Sequence, residues 1–252
     1  MKDLSLWKET FKITHFFVNP DAQASIQGLS YCLQETAVNH AHAGEFGYEQ
    51  LINENRAWVL TRQHIKLYKI PVISEKITIE SWVHETKELF SVRDFHIFDT
   101  KNNLIGLART SWMMLDLKSR RPVTIPKNLT ENFPHQHNRI KEDLQLEKIP
   151  VIEDNTLPKT SFRVVYSELD VNHHVNNIHY SKWVLDDFDF DFRKKYRLES
   201  IENNFLSEAL YGDKLEIVTI PVSDNPLVYI TYITNPAKDM KILASRTKWV
   251  ER

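Results

Sequence analysis

The side chains best suited to chemistry in this sequence are concentrated in a short run that starts at residue 170. The run contains Asp170, Asn172, His173 and His174, followed by Asn176 and Asn177. An imidazole exchanges protons near neutral pH, a carboxylate can orient it, and an amide can donate a hydrogen bond to a developing oxyanion. The run therefore offers the components of acid–base catalysis, although Asp and Asn are also ordinary helix caps.

The residues that follow this run predict the element that positions it. The sequence becomes apolar and aromatic without a Gly or Pro, so we expect one helix over Asp170–Phe188. The unpaired N–H groups of its first turn, from Val175 onward, would add donors for an oxyanion. The polar side chains would then lie at the entrance of a helix whose body is buried.

Most of the chain is accounted for by two copies of one pattern. Each copy reads as a strand, a long apolar helix and four more strands, the first helix running from Asp21 to about His42. The predicted strands cover residues 8–18, 57–68, 76–84, 90–98, 104–115, 161–166, 201–209, 214–222, 227–234 and 241–250. The string ARTSW at Ala108–Trp112 recurs as SRTKW at Ser245–Trp249, an offset of 137 residues.

The helices of the two copies align at an offset of 149 residues, which pairs Asp21 with Asp170. This alignment places Gln23 and Ser25 at the positions of Asn172 and His174. The first copy therefore keeps the scaffold and lacks the polar trio. A unit of this kind is suited to binding a ligand rather than to carrying out chemistry.

A helix that is apolar on most sides must be enclosed, and a curved antiparallel sheet encloses it economically. We therefore predict an α+β fold with an N-terminal unit over residues 1–130 and a C-terminal unit over residues 161–252. The proline-rich stretch 131–160 would be an ordered connector.

Composition excludes several classes of function. The net charge of −2 argues against nucleic-acid binding, and no apolar stretch is long enough to insert in a membrane. The N-terminus lacks the features of a signal peptide, and the one cysteine, Cys32, predicts a buried thiol in a cytoplasmic protein. We find no zinc motif, phosphate loop or GxSxG elbow, so we expect neither a metal nor a cofactor.

The string LDVNHHVNN at Leu169–Asn177, followed by a tyrosine and a tryptophan-containing helix, resembles the acyl-acyl-carrier-protein (acyl-ACP) thioesterases of bacteria and plants. The resemblance covers almost the whole chain, but its specific signature lies in the second half. It implies a tandem (double) hotdog fold, in which two antiparallel sheets each wrap around a long central helix. It also implies hydrolysis of fatty acyl-ACP to free fatty acid and carrier protein.

Carried over by position, the resemblance implies four catalytic residues, Asp170, Asn172, His174 and Glu208. Asn172 would bind the carbonyl oxygen and Asp170 would fix the loop. Plant members have a cysteine after the glutamate, whereas this chain has Ala209, so a thiol nucleophile is excluded at this position. Either Glu208 and His174 activate water or Glu208 is itself the nucleophile, and the sequence does not decide which of the two is the primary base.

The resemblance also implies that the first unit holds the acyl chain while the second cleaves it. The side chains expected to line the acyl site are Trp58, Trp82, Phe90, Trp112, Met113 and Met114. Because acyl carrier protein is acidic, its docking face should be basic. The candidate face is Arg193, Lys194, Lys195 and Arg197, with Lys118, Arg120 and Arg121 as a second patch.

Two other functions fit the same sequence. An acyl-CoA thioesterase of the same fold would need nucleotide contacts in place of a protein-docking face. A non-catalytic acyl-binding or regulatory protein would not need the polar constellation of the second half. The oligomeric state, a homodimer included, stays open.

Overall fold

The chain folds into two compact units, Met1–Leu146 and Glu147–Arg252. The structure is a computed structural model that describes residues 3–136, 139–140, 142, 144–151, 157–222 and 225–252. The stretch predicted as a connector, 131–160, is divided between the units, because the boundary falls between Leu146 and Glu147.

The first unit is built on an antiparallel sheet. Its strands are β1 (Trp7–Lys12), β2 (Arg56–Leu67), β3 (Lys76–Thr86), β4 (Phe90–Phe98), β5 (Leu104–Asp116) and the short β6 (Arg121–Pro122). They pair in the order β1-β3-β4-β5-β2, and β6 pairs with β5. The predicted strands are confirmed to within two residues, except that the first ends at Lys12 and His15–Phe17 form a 3-10 turn.

The long helix of this unit, α1 (Ile26–Ala43), packs against the sheet near β1 and β3. The prediction that it starts at Asp21 is wrong, because Ser25 caps it by accepting a hydrogen bond from the Gly28 N–H at 3.0 Å. Cys32 is fully buried in this helix, as predicted, and burial raises the pKa of its thiol to about 12. Two short helices, α2 (Tyr48–Asn53) and α3 (Lys127–Asn132), complete the unit.

The second unit repeats the same sheet. Its strands are β7 (Thr160–Arg163), β8 (Tyr196–Phe205), β9 (Lys214–Val222), β10 (Asn225–Asn235) and β11 (Met240–Glu251), and they pair in the order β8-β11-β10-β9-β7. The strand predicted over residues 201–209 is wrong at both ends, since β8 starts at Tyr196 and ends at Phe205. Glu208 consequently lies in the loop after β8.

The central helix of the second unit, α4 (Asn177–Asp186), is shorter than predicted. Asn176 caps it, its Oδ1 accepting from the Ile178 N–H at 3.1 Å, so residues 170–175 precede the helix. A separate helix, α5 (Phe190–Lys195), follows. The buried face of α4 packs on the sheet through Tyr180, whose ring centroid is 5.6 Å from that of Phe205. None of the described helices has the length and apolar character that crossing a membrane requires.

The two units also repeat in detail, but at an offset that corrects the sequence alignment. The helix caps Ser25 and Asn176 are 151 residues apart, and so are the equivalent backbone hydrogen bonds from Asn19 N to Gln23 O and from Asp170 N to His174 O, each 2.8 Å. The offset of 149 is therefore wrong by two residues in this region.

Near the C-terminal end of each unit the offset of 137 is confirmed. The Trp112 indole donates to Thr110 Oγ1 at 2.9 Å, and the Trp249 indole donates to Thr247 Oγ1 at 3.1 Å. The repeated strings thus occupy equivalent positions on β5 and β11. Each unit is an antiparallel sheet with one long helix against it, which is the hotdog arrangement implied by the resemblance.

Candidate active site

The polar run folds into a tight turn that is organised by Asp170. One carboxylate oxygen, Oδ1, accepts from the Asn172 N–H at 2.8 Å and from the His174 N–H at 3.3 Å. The turn requires a positive φ of 62° at His173, whose N–H donates to the Asp170 carbonyl oxygen at 3.1 Å. Asp170 therefore fixes the backbone of both neighbouring site residues.

His174 and Glu208 form a carboxylate–imidazole pair. The imidazole Nε2 lies 3.4 Å from Glu208 Oε2, and the two side chains are 24% and 36% exposed. This separation is long for a direct hydrogen bond. Both side chains are also partly exposed to solvent. The pair can take up one proton from water and hand one to a leaving group, which is the chemistry of general acid–base catalysis.

The loop that carries Glu208 is held against the start of α4 by its neighbour Ala209. The Ala209 N–H donates to the Tyr180 hydroxyl at 3.1 Å, and the Ala209 carbonyl accepts from the Val175 N–H at 3.0 Å. Tyr180 is buried, which raises the pKa of its phenol far above the usual value. Tyr180 therefore acts as a neutral hydrogen-bond partner, and Ala209 contributes backbone contacts.

We expected backbone N–H groups from Val175 onward to act as oxyanion donors. This expectation is wrong for three of these groups, because each already has an acceptor. The Val175 N–H is bound to Ala209 O, the Asn176 N–H to Glu168 O, and the Ile178 N–H to the Asn176 side chain. Since these groups already have acceptors, they are not available to an oxyanion, and the side chain of Asn172 is one candidate donor that remains. Asn172 is exposed, and its amide makes no hydrogen bond within the described part of the chain.

A second carboxylate that the sequence did not single out, Glu168, supports the turn from below. It is 9% exposed, and its two oxygens accept from the Val165 N–H and from the Trp183 indole, both at 2.9 Å. The Glu168 carbonyl oxygen also accepts from the Asn176 cap at 2.9 Å. This residue ties the 3-10 turn Tyr166–Glu168 to the body of α4, so it positions the site without belonging to the reacting groups.

The first unit has the same turn without the chemistry. At the corrected offset the counterparts of Asp170, Asn172 and His174 are Asn19, Asp21 and Gln23. The Ala24 N–H donates to Pro71 O as the Val175 N–H does to Ala209 O, so Ile70 is the counterpart of Glu208. An amide and an alkyl group replace the imidazole and the carboxylate. The conclusion that the first copy lost the reacting groups therefore holds, with different residues from those first aligned.

The first unit instead contains an apolar pocket of about 590 Å³, a volume that includes solvent at its mouth. It is lined by Ala37, Val38 and Ala41 of α1, by Trp58, Val83, Thr86, Ser91, Arg93 and Trp112 of the sheet, and by Phe46, Leu129 and Phe133.

Of the side chains predicted to line an acyl site, Trp58 and Trp112 line this pocket. Trp82 and Met114 are fully buried in the packed core, Phe90 is 39% exposed, and Met113 lies outside the lining. Strand alternation accounts for Trp82 and Met113, whose neighbours Val83 and Trp112 face the pocket. Met114 lies on the same face of β5 as Trp112 and is instead covered by core packing with Val83 and Phe133. Arg93, which was not among the predicted lining residues, is part of the wall.

The predicted docking run is split by its environment. Lys194 and Lys195 are exposed on α5, whereas Arg193 and Arg197 are half-buried. Arg193 lies 3.9 Å from Asp186, and Lys194 lies 3.6 Å from Asp191. The charge available to a partner at this place is therefore mainly that of the two lysines. In the described ranges no group of three or more His, Cys, Asp or Glu side chains is arranged to hold a metal ion.

Fold and site together define the class of the protein: a tandem hotdog protein in which one unit carries a carboxylate–imidazole pair and the other an apolar pocket. Sequence comparison supplies the family. The profile of the acyl-ACP thioesterase N-terminal domain matches residues 5–133, and that of the C-terminal domain matches residues 153–251. The chain belongs to the acyl-ACP thioesterase family.

Individual relatives agree with this assignment. The chain is 28% identical over 241 residues to an oleoyl-acyl carrier protein thioesterase of Coriandrum sativum, which covers 86% of this chain and 63% of the relative. It spans a little under two thirds of the length of the curated plant relatives that it matches first.

Solved structures resemble the whole chain. An acyl-ACP thioesterase from Bacteroides thetaiotaomicron superposes with a TM-score of 0.86 at 26% identity, covering 98% of both chains. The 12:0-ACP thioesterase from Umbellularia californica gives a TM-score of 0.86 at 21% identity, covering 100% of this chain and 99% of that one. At the lower identity the likeness concerns the fold alone.

Proposed function

We propose that this protein hydrolyses fatty acyl thioesters of acyl carrier protein and releases the free fatty acid and the carrier protein. The observation that carries the proposal is the Glu208–His174 pair, with 3.4 Å between Oε2 and Nε2, beside a turn fixed by Asp170. Membership in the acyl-ACP thioesterase family supports the same activity.

The proposed reaction uses water as the nucleophile. Water attacks the thioester carbonyl carbon while the Glu208–His174 pair takes its proton, and Asn172 donates a hydrogen bond to the resulting oxyanion. The carbon–sulfur bond then breaks, and the pair returns a proton to the departing thiolate. The free acid and the carrier-protein thiol are the products, so that the pair ends in its starting protonation state.

A covalent route through Glu208 is the alternative within the same function. Glu208 would attack the carbonyl carbon, the carbon–sulfur bond would break, and the departing thiolate would take up a proton from solvent or from a protonated His174. Water would then open the resulting anhydride to the fatty acid and the Glu208 carboxylate. The two routes differ in a measurable way when one turnover is run in ¹⁸O-labelled water. Attack of water on the substrate puts the label only in the fatty acid, whereas opening of the anhydride at the glutamyl carbon puts it in Glu208, where peptide mass spectrometry detects it.

We propose that the apolar pocket of the first unit holds the acyl chain. Support comes from its mainly apolar lining, from the aromatic side chains of Trp58 and Trp112 in that lining, and from the absence of counterparts of His174 and Glu208 in this unit. Replacing Ala41 by Phe would place a larger side chain in the lining. We expect this variant to discriminate against long acyl chains relative to short ones, measured as kcat/KM over a series of acyl-ACP lengths.

We propose that Lys194 and Lys195 contribute to the docking of acyl carrier protein. Charge reversal of both to Glu should raise KM for acyl-ACP and flatten its salt dependence, because partner steering by charge is screened by salt. Hydrolysis of the matching acyl-CoA should not change. Reversal of Lys118 and Arg121 in the second patch serves as the matched control, and an effect confined to that variant would move the docking face there.

One panel of substrates tests the activity itself and its two rivals. Release of free acid from acyl-ACP and acyl-CoA is measured for the wild type, for His174→Ala and for Glu208→Ala. A preference for CoA would replace the proposed substrate class. Absence of hydrolysis in the wild type, together with tight binding of acyl-ACP, would favour a binding protein.

We also infer a cytoplasmic location, because a single buried thiol suits a reducing compartment. The names of the curated plant relatives give a chloroplast location for those proteins. Fractionation of the producing cells tests the inference. Light scattering of the purified protein tests the homodimer.

A further inference from the structure

The lining of the apolar pocket of the first unit includes one charged residue, Arg93. Arg93 is 8% exposed and forms part of the pocket wall. Burial lowers the pKa of the guanidinium to about 10, so it remains charged at neutral pH. A buried charge is costly unless a partner of opposite charge or several hydrogen bonds compensate it.

The hydrogen bonds of Arg93 fix its orientation without neutralising it. Nη1 donates to His40 Nδ1 at 2.7 Å and to Ser81 Oγ at 3.1 Å. Because arginine only donates, His40 Nδ1 must be the acceptor, and His40 Nε2 then carries the proton that it donates to Leu4 O at 3.0 Å. His40 is therefore a neutral imidazole, and it adds no negative charge.

Carboxylates close in sequence are engaged elsewhere. Asp94 points to the other face of β4, where it forms an ion pair with Arg109 at 2.6 Å and lies 3.0 Å from His84 Nδ1. Glu80 pairs with Arg139 at 3.1 Å. Within the described ranges of the chain, no carboxylate forms an ion pair with Arg93, and Nε and Nη2 donate to no other group.

These two nitrogens form the edge of the guanidinium that binds a carboxylate with two parallel hydrogen bonds. The polar side of the pocket continues along the sheet through Ser91, two residues earlier on β4, and Thr86, whose hydroxyl lies 3.4 Å from that of Ser91. The opposite wall is apolar and comes from α1. The pocket thus offers one cationic edge and an apolar enclosure, which together suit a single-chain amphiphile with an anionic head.

We propose that the pocket of the first unit is a binding site for a free fatty acid whose carboxylate pairs with Arg93. The inference rests on the proposed function in one respect, namely that the free acid is the reaction product. Binding of the acid would then exclude the acyl chain from the pocket and inhibit turnover. An acyl chain that ends in a methyl group gains nothing from the guanidinium, so the site prefers the acid to a neutral chain of equal length.

The test is a direct binding measurement by isothermal titration calorimetry, with dodecanoate below its critical micelle concentration and dodecan-1-ol below its solubility limit. We expect the wild type to bind dodecanoate about 10- to 100-fold more tightly than the alcohol, the range for hydrogen bonds to charged groups. Arg93→Met should bind the two ligands equally. Arg93→Gln, which keeps a donor for His40, is the second neutral variant in case the methionine variant does not fold.

Two further variants separate this inference from the proposed function. Glu208→Gln lies in the other unit and should bind dodecanoate as the wild type does, although it is expected to be inactive. Ala41→Phe fills the pocket and should weaken binding of both ligands, which excludes adsorption elsewhere. Equal affinities of the wild type for acid and alcohol, or an acid preference that survives in a folded neutral Arg93 variant, would overturn the inference whether or not the protein hydrolyses acyl-ACP.

Discussion

Replacement of Glu208 by Gln tests the candidate active site most directly. The substitution removes the carboxylate that lies 3.4 Å from His174 and keeps the size of the side chain. A positioned general base contributes about 10²- to 10⁴-fold to a rate, which corresponds to about 3–5.5 kcal/mol of transition-state stabilisation. We therefore expect kcat for acyl-ACP to fall by that factor.

The same geometry predicts little effect on folding. The pair is 24% and 36% exposed, and ion pairs open to solvent contribute about 0–1 kcal/mol. For a protein of this size the melting temperature should then change by less than about 4 °C. Glu216→Gln is the matched control, since it removes a similarly exposed ion pair with Lys159, at 3.2 Å, in the same unit.

The assay is single-turnover release of free acid from dodecanoyl-ACP, with melting curves recorded for every variant. We expect Glu208→Gln to lose turnover at an unchanged melting temperature, and Glu216→Gln to keep both. The double variant with His174→Gln should be hardly slower than either single variant, because residues that act as a unit are not additive. The site assignment is refuted if Glu208→Gln keeps more than about a tenth of the wild-type rate.

Three further predictions concern the support of the site. Asn176→Ala and Ser25→Ala each remove a helix cap and should each lower the unfolding free energy by about 1 kcal/mol. Only Asn176→Ala should also slow hydrolysis, because its helix adjoins the candidate catalytic turn, and equal rates in the two variants would contradict this. Glu168→Ala leaves the buried Trp183 indole and a backbone N–H without acceptors, so we expect the unfolding free energy to fall by about 2–6 kcal/mol in a denaturant titration. A decrease under 1 kcal/mol would show that water replaces the carboxylate. Burial lowers the pKa of His179 in the folded state, so below about pH 6.5 the unfolded chain binds more protons than the folded one. The stability therefore decreases as the pH is lowered from about 6.5 to the folded-state pKa. His179→Gln should flatten this decrease in a series of melting curves, and an unchanged slope would exclude the contribution.

The sequence alone predicted most of the elements and the candidate catalytic side chains. Strand positions followed from alternation and turn residues, and β4 and β9 were predicted with their observed bounds. The internal repeat and the string at Leu169–Asn177 indicated which unit carries the chemistry. A local pattern suffices for these inferences, because the period of a strand and the types of the candidate residues can be read from a short stretch of sequence.

The start of the central helix was not predictable in the same way. Asp170 and Asn176 are both favourable caps, and nothing local says which of them the helix uses. In the folded chain the Asp170 carboxylate closes the preceding turn instead, and Asn176 takes the cap. The alignment of the repeats slipped by two residues for the same reason, because Asp21 matched Asp170 by type while its position in the turn is that of Asn172.

Only the tertiary structure decided which side chains meet across the chain. Glu208 reaches His174 because the loop after β8 is tied to the start of α4 through Ala209, a contact between residues far apart in sequence. The pocket lining depends on which face of each strand turns toward α1, so Trp82 became core and Trp112 became wall. The strand sequence around Arg93 does not indicate whether its charge is paired. Only the folded structure shows that no carboxylate of the described residues forms an ion pair with it.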